Sequence, residues 1–548
     1  MRLATRLGLS ALSAALMVLS VPTFDLWPLM WVALVPALHV ALTAKTPRRA
    51  FLHGWLAGII GNTVAFAWMK GLLVRFGHMS AVEAIPIMML LTTYQGLEFG
   101  LWSWGVHRLS RRRPDISLAL LAPLVMVTIE LLVPQIFPFY LAISQAWVPS
   151  VIQIADLTGP MGVSFVMVMV TGGVYDAGHA ARAAWRAQGS DGTPRVGAAA
   201  GAAGRRLAIP IAVVAATLLY GALRIRQIDH RRQAAVQARV GIVQANVGMR
   251  EKWDPSDGAR LLALHQQQSV ALARLAPPPD LVVWPESSYP YALPRDVQGD
   301  FAVGDPRRIR DGFSVPLLFG AITLSTQPRS NKDRFPYNTA LMLNETGHVT
   351  GRFDKVFLLV FGEYIPFYEH IPWFTDVFPD ASNYNRGTHP AVFPLVVGGR
   401  EFRVGPLICY EDILPGFTRE VAALEPNLLV NITNDAWFGK TAEPYQHLAL
   451  AVFRSVEHRL DMVRAVNTGV SAHIDAVGRV RASMPAVDPD TDPPPQPTAL
   501  LVQAALLDRG GAYRYLGNLF AYGCLGGLIW LAVGGRRDRR GGRPRGRA

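Results

Sequence analysis

Two hydrophobic patterns divide the chain into a helical membrane part and a layered part. Long apolar stretches of about 20 residues recur, which is enough for a helix to cross the ~30 Å hydrocarbon core of a bilayer. They cover residues 7–24, 26–43, 51–69, 84–106, 117–135, 161–178, 207–224 and 515–534. The pattern predicts a multi-pass α-helical membrane domain of about eight spans, with spans one to seven in residues 1–225. The last span and a basic cytoplasmic tail occupy residues 511–548.

Residues 226–510 have a different pattern, in which short apolar runs with strand character recur. Two amphipathic stretches, 259–275 and 445–466, carry apolar residues at steps of three and four and predict helices. The strand-like runs are Arg239–Val247, Leu281–Glu286, Pro316–Leu324, Tyr337–Asn344, Phe402–Cys409, Asn427–Asn434 and Val470–Ala476. Strands alternating with helices predict a layered α/β domain with its own core.

Composition supports a protein that is partly embedded in a membrane. Hydrophobic residues make up 51% of the chain and charged residues only 17%, with a mean hydropathy of +0.23. The net charge of +13 does not indicate nucleic-acid binding, because much of the excess lies in short loops and the tail. Cys409 and Cys524 are the two cysteines. Cys524 lies in an apolar stretch, so Cys409 is expected to be a free thiol.

Lysine and arginine residues concentrate in alternate loops, which predicts the orientation of the spans. The loops 70–83 and 136–160 contain only Lys70 and Arg75, whereas the other short loops and both termini are rich in arginine. Both termini are therefore expected in the cytoplasm and residues 226–514 outside it. A cleaved signal peptide is the alternative for the N-terminus. The second apolar stretch follows so soon that a hairpin of two spans fits better.

Three reactive residues lie at or near the ends of strand-like runs. Glu286 ends one run, Cys409 ends another, and Lys355 lies between them in the chain. Each has an ordinary explanation alone: an exposed carboxylate, a buried core thiol and a solvated surface lysine. Together they are the parts of an acyl-transfer site, since a thiol at a sharp turn can act as a nucleophile beside a base and a cation.

Several stretches resemble a known family. They are Val243–Asn246, Trp284–Glu286, Tyr337–Thr339, Phe361–Phe367, Cys409–Glu411, Thr433–Gly439, Gln446–His447 and Arg464–Gly469. Residues 226–510 resemble the nitrilase, or carbon–nitrogen hydrolase, superfamily. The whole chain resembles its membrane-bound branch, the apolipoprotein N-acyltransferases. The segment Val356–Val360 departs from the family pattern because it lacks the usual basic residues and the Val-Pro ending.

The resemblance implies an α-β-β-α sandwich outside the cytoplasm and a set of site residues. Glu286 would be the general base, Lys355 would face the oxyanion, and Cys409 would be the nucleophile. The supporting residues would be Glu363, Tyr410 and Glu411. The substrate-binding residues would be Trp253, Asn338 and Trp437. His447 would be a hydrogen-bonded structural residue, and neither a metal nor a cofactor is implied.

The resemblance also implies an activity in the bacterial inner membrane. A fatty acyl chain would pass from a phospholipid to the N-terminal amine of a diacylated apolipoprotein, through a thioester on Cys409, and nucleic acid would not be a partner. One alternative is a membrane-tethered amidase or nitrilase, which would use the same triad with water as second nucleophile. Another is a structural membrane protein with an inactive domain. The many spans and the nine aromatic residues within 357–384 favour a lipid substrate.

The loop charges generate a prediction about topology. Single cysteines introduced near residues 300 and 490 should react with an impermeant thiol reagent in intact cells. A cysteine introduced near residue 190 should react only after the membrane is permeabilised. Labelling near residue 300 that required permeabilisation would contradict the predicted orientation.

Overall fold

Two compact units share the chain. The structure, a computed structural model, describes residues 1–75, 77, 79–187, 196–252, 254–326, 335–360, 362–364, 383–508 and 510–534. The first unit contains residues 1–67, 85–224 and 516–548, and the second contains residues 68–84 and 225–515. The segment 68–84 thus groups with the unit that follows the seventh predicted span. The domain bounds drawn from the sequence stay a prediction.

All regular secondary structure in the described part of the membrane region is helical. Its α-helices are Leu3–Ser20, Met30–Ala33, Val35–Thr43, Pro47–Ala65, Trp68–Arg75, Ala81–Arg112, Leu118–Leu132, Pro149–Ile152, Ala155–Thr158, Pro160–Arg186, Val196–Ala234, Tyr513–Leu516 and Leu519–Gly534. Short 3₁₀ turns cover Trp27–Leu29 and Leu141–Gln145.

The predicted number of about eight spans is not confirmed. Among the described residues, three helices are long and apolar enough to cross a membrane: Leu3–Ser20, Pro160–Arg186 and Val196–Ala234. The helices Pro47–Ala65 and Trp68–Arg75, bent by 57° at their junction, could form a fourth span. The other predicted spans correspond to shorter or interrupted helices. For example, helix Leu118–Leu132 ends three residues before the predicted limit of 117–135.

Small residues allow the helices of the first unit to approach closely. A Cβ at Gly172 would lie 2.3 Å from the carbonyl oxygen of Leu118, on the neighbouring helix. A Cβ at Gly58 would likewise lie 2.6 Å from the carbonyl oxygen of Gly96. Glycine at such positions lets two helix backbones touch, which is a common mode of packing in membranes.

The second unit contains two β-sheets. Its strands are β1 Val236–Gln244, β2 Leu281–Val283, β3 Leu293–Pro294, β4 Leu317–Leu324, β5 Tyr337–Leu343, β6 Val349–Asp354, β7 Phe393–Val397, β8 Arg400–Ile408, β9 Leu428–Asn434, β10 Met462–Asn467, β11 Ser471–Ile474, β12 Val480–Met484 and β13 Thr498–Leu506. The first sheet has the order β13-β1-β2-β4-β5-β6, with β3 paired to β4. The second has the order β12-β11-β10-β9-β8-β7.

The sheets contact each other, and helices cover them. Strand β1 lies against β10 of the other sheet, and β5 lies against β8. Helix Gly258–Ala273 packs on β1 and β13 of the first sheet. Helix Pro415–Ala423 packs on β8 of the second sheet, and helix Glu443–His458 packs on Pro415–Ala423. Further helical turns are Met249–Lys252, Pro255–Asp257, Cys409–Ile413 and Asp435–Trp437.

All seven strand-like runs predicted from the sequence contain observed strands, but one predicted helix extends too far. The stretch 445–466 forms a helix only to His458, and its last residues belong to β10. Arg459 ends the helix in the left-handed conformation, with φ of +54°. The apolar residues of β10 happened to continue the helical spacing, so periodicity alone could not place this boundary.

A buried aspartate joins four elements of the second unit. Asp461, fully buried before β10, accepts hydrogen bonds from Nε and Nη2 of Arg232, each at 2.8 Å. It also accepts hydrogen bonds from His473 Nε2 at 2.9 Å and from the amides of Ala476 and Ala505, each at 3.0 Å. Burial opposes ionisation, but the bonds from Arg232 and His473 lower the pKa of Asp461 to about 2.

We predict that Asp461→Asn lowers the stability of the purified protein by about 1.5–3 kcal/mol, because it weakens the charged hydrogen bonds to Arg232, which then has only Asp475, at 3.6 Å, as a carboxylate partner among the described residues. The pKa of Asp461 is depressed in the folded state, so its contribution is present above pH 4 and is lost as the pH falls towards 2. The difference in Tm between wild type and Asp461→Asn should therefore narrow over that range. The exposed Asp490→Asn is the control and should match wild type.

Candidate active site

Glu286, Lys355 and Cys409 each follow a strand of the second unit. Glu286 comes three residues after β2, Lys355 directly follows β6, and Cys409 directly follows β8. The pairings β2–β4 (parallel), β4–β5 and β5–β6 (both antiparallel) orient β2 and β6 in the same direction. The carboxyl ends of these two strands therefore lie at the same edge of the first sheet, and the fold brings the residues that follow them together.

Lys355 lies between two carboxylates in the interior. Its side chain is 1% exposed, and Nζ is 3.2 Å from Glu286 Oε1 and 2.8 Å from Glu363 Oε2. Burial alone would lower the pKa of Lys355, but attraction to the sulfur of Cys409 in its ionised form and to the carboxylates of Glu286 and Glu363 outweighs it and raises the pKa well above its ordinary value. The lysine is therefore a permanent cation, held by ion pairs rather than by water.

Asn338 connects the same two carboxylates. Its Nδ2 donates to Glu286 Oε1 at 2.7 Å and to Glu363 Oε1 at 3.0 Å. The backbone carbonyl oxygen of Asn338 accepts a hydrogen bond from the backbone amide of Lys355 at 2.9 Å. Asn338, on strand β5, thereby fixes both carboxylates and the start of the loop that follows β6. The sequence analysis predicts a substrate-binding role for Asn338, which stays a prediction.

Cys409 occupies a sharp corner between β8 and the 3₁₀ turn Cys409–Ile413. Its φ is +52°, a left-handed conformation that is uncommon for residues other than glycine. Its carbonyl oxygen accepts from Asn431 Nδ2 at 3.2 Å. The backbone is also left-handed at three other residues that follow strands of this unit. They are Asn246, Ser287 and Thr468, with φ of 59°, 46° and 67°. Backbone strain of this kind is often concentrated at functional sites.

The resting thiol is neutral. Burial and the charge of Glu286 raise the pKa of Cys409 to about 12, against the opposing effects of Lys355 and His447. The residue as a whole is half-buried. A thiol with so high a pKa needs a base to become a nucleophile, and Glu286 is the carboxylate with the largest charge effect on it.

Glu411 connects the turn that begins at Cys409 to the loop that begins at Lys355. It is fully buried, and Oε2 accepts from the amide of Ile408 at 2.8 Å. Its Oε1 accepts from the amides of Val356 and Phe357 at 2.7 and 3.1 Å. Burial raises the pKa of Glu411 to about 8, against the opposing effect of these amides. The Glu411 carboxylate thus fixes the residue before Cys409 and the two residues after Lys355.

The end of β2 is positioned by close packing. Trp284 is fully buried, and its Nε1 donates to Ser269 Oγ at 2.8 Å on helix Gly258–Ala273. The neighbouring strand β4 passes so close that a Cβ at Gly320 would lie 2.4 Å from the Ser287 amide nitrogen. Only glycine permits this approach, which fixes the backbone of Glu286.

The remaining predicted residues fall in different places. Tyr410 is half-buried, and burial, together with the nearby Tyr364, raises its pKa to about 12. Trp437 is half-buried in the turn Asp435–Trp437 that follows β9. Trp253 lies outside the described residues, as does most of the aromatic-rich segment 357–384.

Sequence reasoning missed Lys252. Its Nζ donates to the carbonyl oxygen of Glu286 at 2.9 Å. Burial lowers the pKa of Lys252 to about 8, although the charges of Glu286 and Cys409 raise it. The only signal for Lys252 in the sequence is its position directly before Trp253, the residue for which a substrate-binding role is predicted. Lys252 is thus a second amine beside the general-base candidate.

Comparison with known proteins identifies the family of the chain. Residues 13–173 match the family model described as "Apolipoprotein N-acyltransferase N-terminal domain", and residues 239–491 match "Carbon-nitrogen hydrolase". The chain is 30% identical to the apolipoprotein N-acyltransferase of Geobacter metallireducens, over 96% of this chain and 94% of that protein. The chain belongs to the apolipoprotein N-acyltransferase family.

Other members of the family are similar over most of their length. The apolipoprotein N-acyltransferase of Azotobacter vinelandii is 31% identical over 88% of this chain and 89% of that protein. Among solved structures, an amidase from Nesterenkonia sp. AN1 in complex with butyramide covers 53% of this chain and 97% of its own, with 19% identity and a TM-score of 0.35. A score this low supports no conclusion. The family matches confirm the resemblance and the nitrilase-like fold of the second unit.

The neutral resting thiol generates a prediction. In a Cys524→Ala variant, which carries Cys409 as its single cysteine, alkylation by iodoacetamide should accelerate continuously between pH 7 and 10. The reason is that the thiolate fraction rises about tenfold per pH unit below a pKa of about 12. A plateau in the alkylation rate near pH 8 would show that the site stabilises a resting thiolate instead.

Proposed function

We propose that the chain transfers a fatty acyl group from a membrane phospholipid to the N-terminal amine of a diacylated apolipoprotein. The observation that carries this proposal is the convergence of Glu286, Lys355 and Cys409 at three strand ends. It supplies a base, a fixed cation and a thiol in one place. Membership of the apolipoprotein N-acyltransferase family supports the choice of substrates.

In the first half-reaction, Glu286 takes the proton of Cys409 and the sulfur attacks the acyl carbonyl of the phospholipid. The tetrahedral oxyanion faces Lys355, whose buried positive charge is strong because little water screens it. The intermediate collapses, the ester C–O bond breaks, and Glu286 returns the proton to the departing lysophospholipid oxygen. The product is a thioester on Cys409.

In the second half-reaction, the amine of the apolipoprotein attacks this thioester. Glu286 takes a proton from the attacking nitrogen, the C–S bond breaks, and the proton passes to the Cys409 sulfur. An amide and the resting enzyme result. The thioester divides the reaction into two easier steps, since amines attack unactivated esters slowly. Asn338 and Glu363 hold Glu286 and Lys355 in place during both steps.

The same proposal places the chain in the bacterial inner membrane, with the second unit on the periplasmic side. The alternating loop charges and the apolar helices support this orientation. We retain eight spans as part of the proposal, because the shorter apolar helices Trp27–Thr43, Leu118–Leu132 and Leu519–Gly534 match three of the predicted stretches.

Three substitutions test the mechanism. Cys409→Ala should abolish transfer, because no thioester can form, and Glu286→Gln should slow acylation of Cys409 by at least about 10²-fold, because the thiol loses its base. Cys524→Ala is the matched control and should retain activity. The measurements are mass spectrometry of a fatty acyl adduct on Cys409 and acylation of a purified diacylated lipoprotein.

An amidase would give a different result in these assays. It would release ammonia from small amides and leave the lipoprotein without a third acyl chain. That outcome, or substantial transfer by Cys409→Ala, would contradict the proposed function.

A further inference from the structure

A second polar cluster lies beside the site and takes no part in the proposed reaction. It consists of Asp435, Glu443 and His447, which are 1%, 9% and 6% exposed. Asp435 follows β9 at the carboxyl end of the second sheet, and the other two lie one turn apart on helix Glu443–His458. One nitrogen or oxygen atom from each residue lies within 4.8 Å of the others. We call these three residues the Asp435 cluster.

Two buried oxygens of the Asp435 cluster lack hydrogen-bond partners. Within the described part of the chain, neither Asp435 Oδ2 nor Glu443 Oε2 accepts a hydrogen bond. A buried carboxylate oxygen without a donor is costly, because it has lost its hydration. The backbone leaves room at Asp435 Oδ2 only because residue 469 is glycine, where a Cβ would lie 2.2 Å from that oxygen.

The separations within the cluster suit a metal ion. His447 Nδ1 lies 3.5 Å from Asp435 Oδ1 and 3.8 Å from Glu443 Oε1. These distances are long for hydrogen bonds. A tetrahedral ion with bonds of about 2.1 Å holds its ligand atoms roughly 3.4 Å apart. Each of these two distances would need to shorten by only a few tenths of an ångström to match an ion, and the ligand atoms of all three residues lie within 4.8 Å of one another.

The other nitrogen of His447 has the partner that metal-binding histidines usually have. His447 Nε2 lies 2.8 Å from Asp412 Oδ1, and the other oxygen of Asp412 accepts from Arg464 Nη1. A carboxylate that accepts the distal N–H of a histidine fixes the tautomer and aims the free nitrogen at the metal. In neutral His447 that arrangement directs the lone pair of Nδ1 towards Asp435 and Glu443, so a bound ion would take the place of the proton that the charged form carries there.

The charges of the cluster favour a cation. Among the described residues, Asp435 and Glu443 form no ion pair with lysine or arginine, and His447 is their one ion-pair candidate. A neutral His447 leaves two buried negative charges, and a protonated His447 leaves one. A divalent ion would balance both carboxylates. Carboxylate and imidazole ligands together suit Zn²⁺, with Mn²⁺ expected to bind more weakly to the same atoms.

We propose that Asp435, Glu443 and His447 bind one divalent transition-metal ion, with Zn²⁺ preferred. The site is separate from the proposed acyl-transfer chemistry and goes beyond the metal-free expectation from the sequence. Its ion would join the turn after β9 to helix Glu443–His458. Through His447 and Asp412 it would also hold the turn that carries Cys409, so that its effect is structural.

The test is metal binding by the full-length protein, purified in detergent without a histidine tag and treated with EDTA. After dialysis against Zn²⁺, elemental analysis should find one ion per chain. Glu443→Gln and Asp435→Asn should each weaken binding at least about tenfold, because each removes a ligand charge. Glu420→Gln, an exposed glutamate of the same unit, is the matched control and should bind normally.

Two further measurements separate the site from its competitors. Zn²⁺ should raise the Tm of wild type and not that of Glu443→Gln, which also shows whether the variant is folded. X-ray absorption of the Zn²⁺ complex should show nitrogen and oxygen ligands only, and Cys409→Ala should still bind the ion.

Three results would overturn the proposal. In the first, wild type binds no more Zn²⁺ than Glu443→Gln, in which case a protonated His447 alone holds the two carboxylates. In the second, binding is lost in Cys409→Ala, and in the third the absorption spectrum shows a sulfur ligand. Either of these would assign the ion to the thiol.

Discussion

The buried ammonium group of Lys355 is the interaction on which the catalytic unit depends. A lysine that is 1% exposed cannot be solvated by bulk water, and an unpaired charge in the interior would cost several kcal/mol. Glu286 and Glu363 contact it, Asn338 donates a hydrogen bond to each of these carboxylates, and the three residues come from separate segments of the chain. Because the charge must be compensated, the end of β2, strand β5 and the loop after β6 have to converge.

The same charge balance sets the chemistry of the thiol. Burial disfavours a thiolate at Cys409, and the charges of Glu286 and Glu363 add to this effect against the opposing charges of Lys355 and His447. A proton that leaves Cys409 must therefore move to a carboxylate rather than to solvent. In the proposed reaction, the cation is then available for the oxyanion that forms on the substrate. In the proposed mechanism, the buried groups that stabilise the unit are therefore the same groups that act in catalysis.

Much of the catalytic unit could be predicted from the sequence, because its strands are short apolar runs and its reactive residues follow them. Glu286 and Cys409 end predicted runs in this way, and the structure brings Lys355, which follows β6, into contact with Glu286. Polar strands such as β6 and the short β3 carry no such pattern and were missed. Lys252 and the Asp435 cluster were missed because their contacts join segments far apart in the chain.

The membrane region was harder to predict in detail. Hydropathy locates apolar stretches, but it does not show where a helix breaks. Pro36 follows directly on the junction between helices Met30–Ala33 and Val35–Thr43, inside a stretch that was predicted as one span. In the same way, the chain bends after Ala65 within the stretch 51–69. These interruptions arise from local backbone chemistry and from packing, to which an average over about 20 residues is insensitive.

The position of Glu411 has a consequence for how two large substrates can use one thiol. Its carboxylate binds the amide of Ile408, just before the thiol, and the amides of Val356 and Phe357, just after the lysine. The turn that carries the nucleophile and the loop that carries the cation are therefore joined through one buried carboxylate, and we expect them to move together. In the proposed reaction, the exchange of a lipid donor for a protein acceptor would then depend on the segments around this pair. Over evolution, those segments can diversify to accept new partners while the reacting atoms keep their spacing.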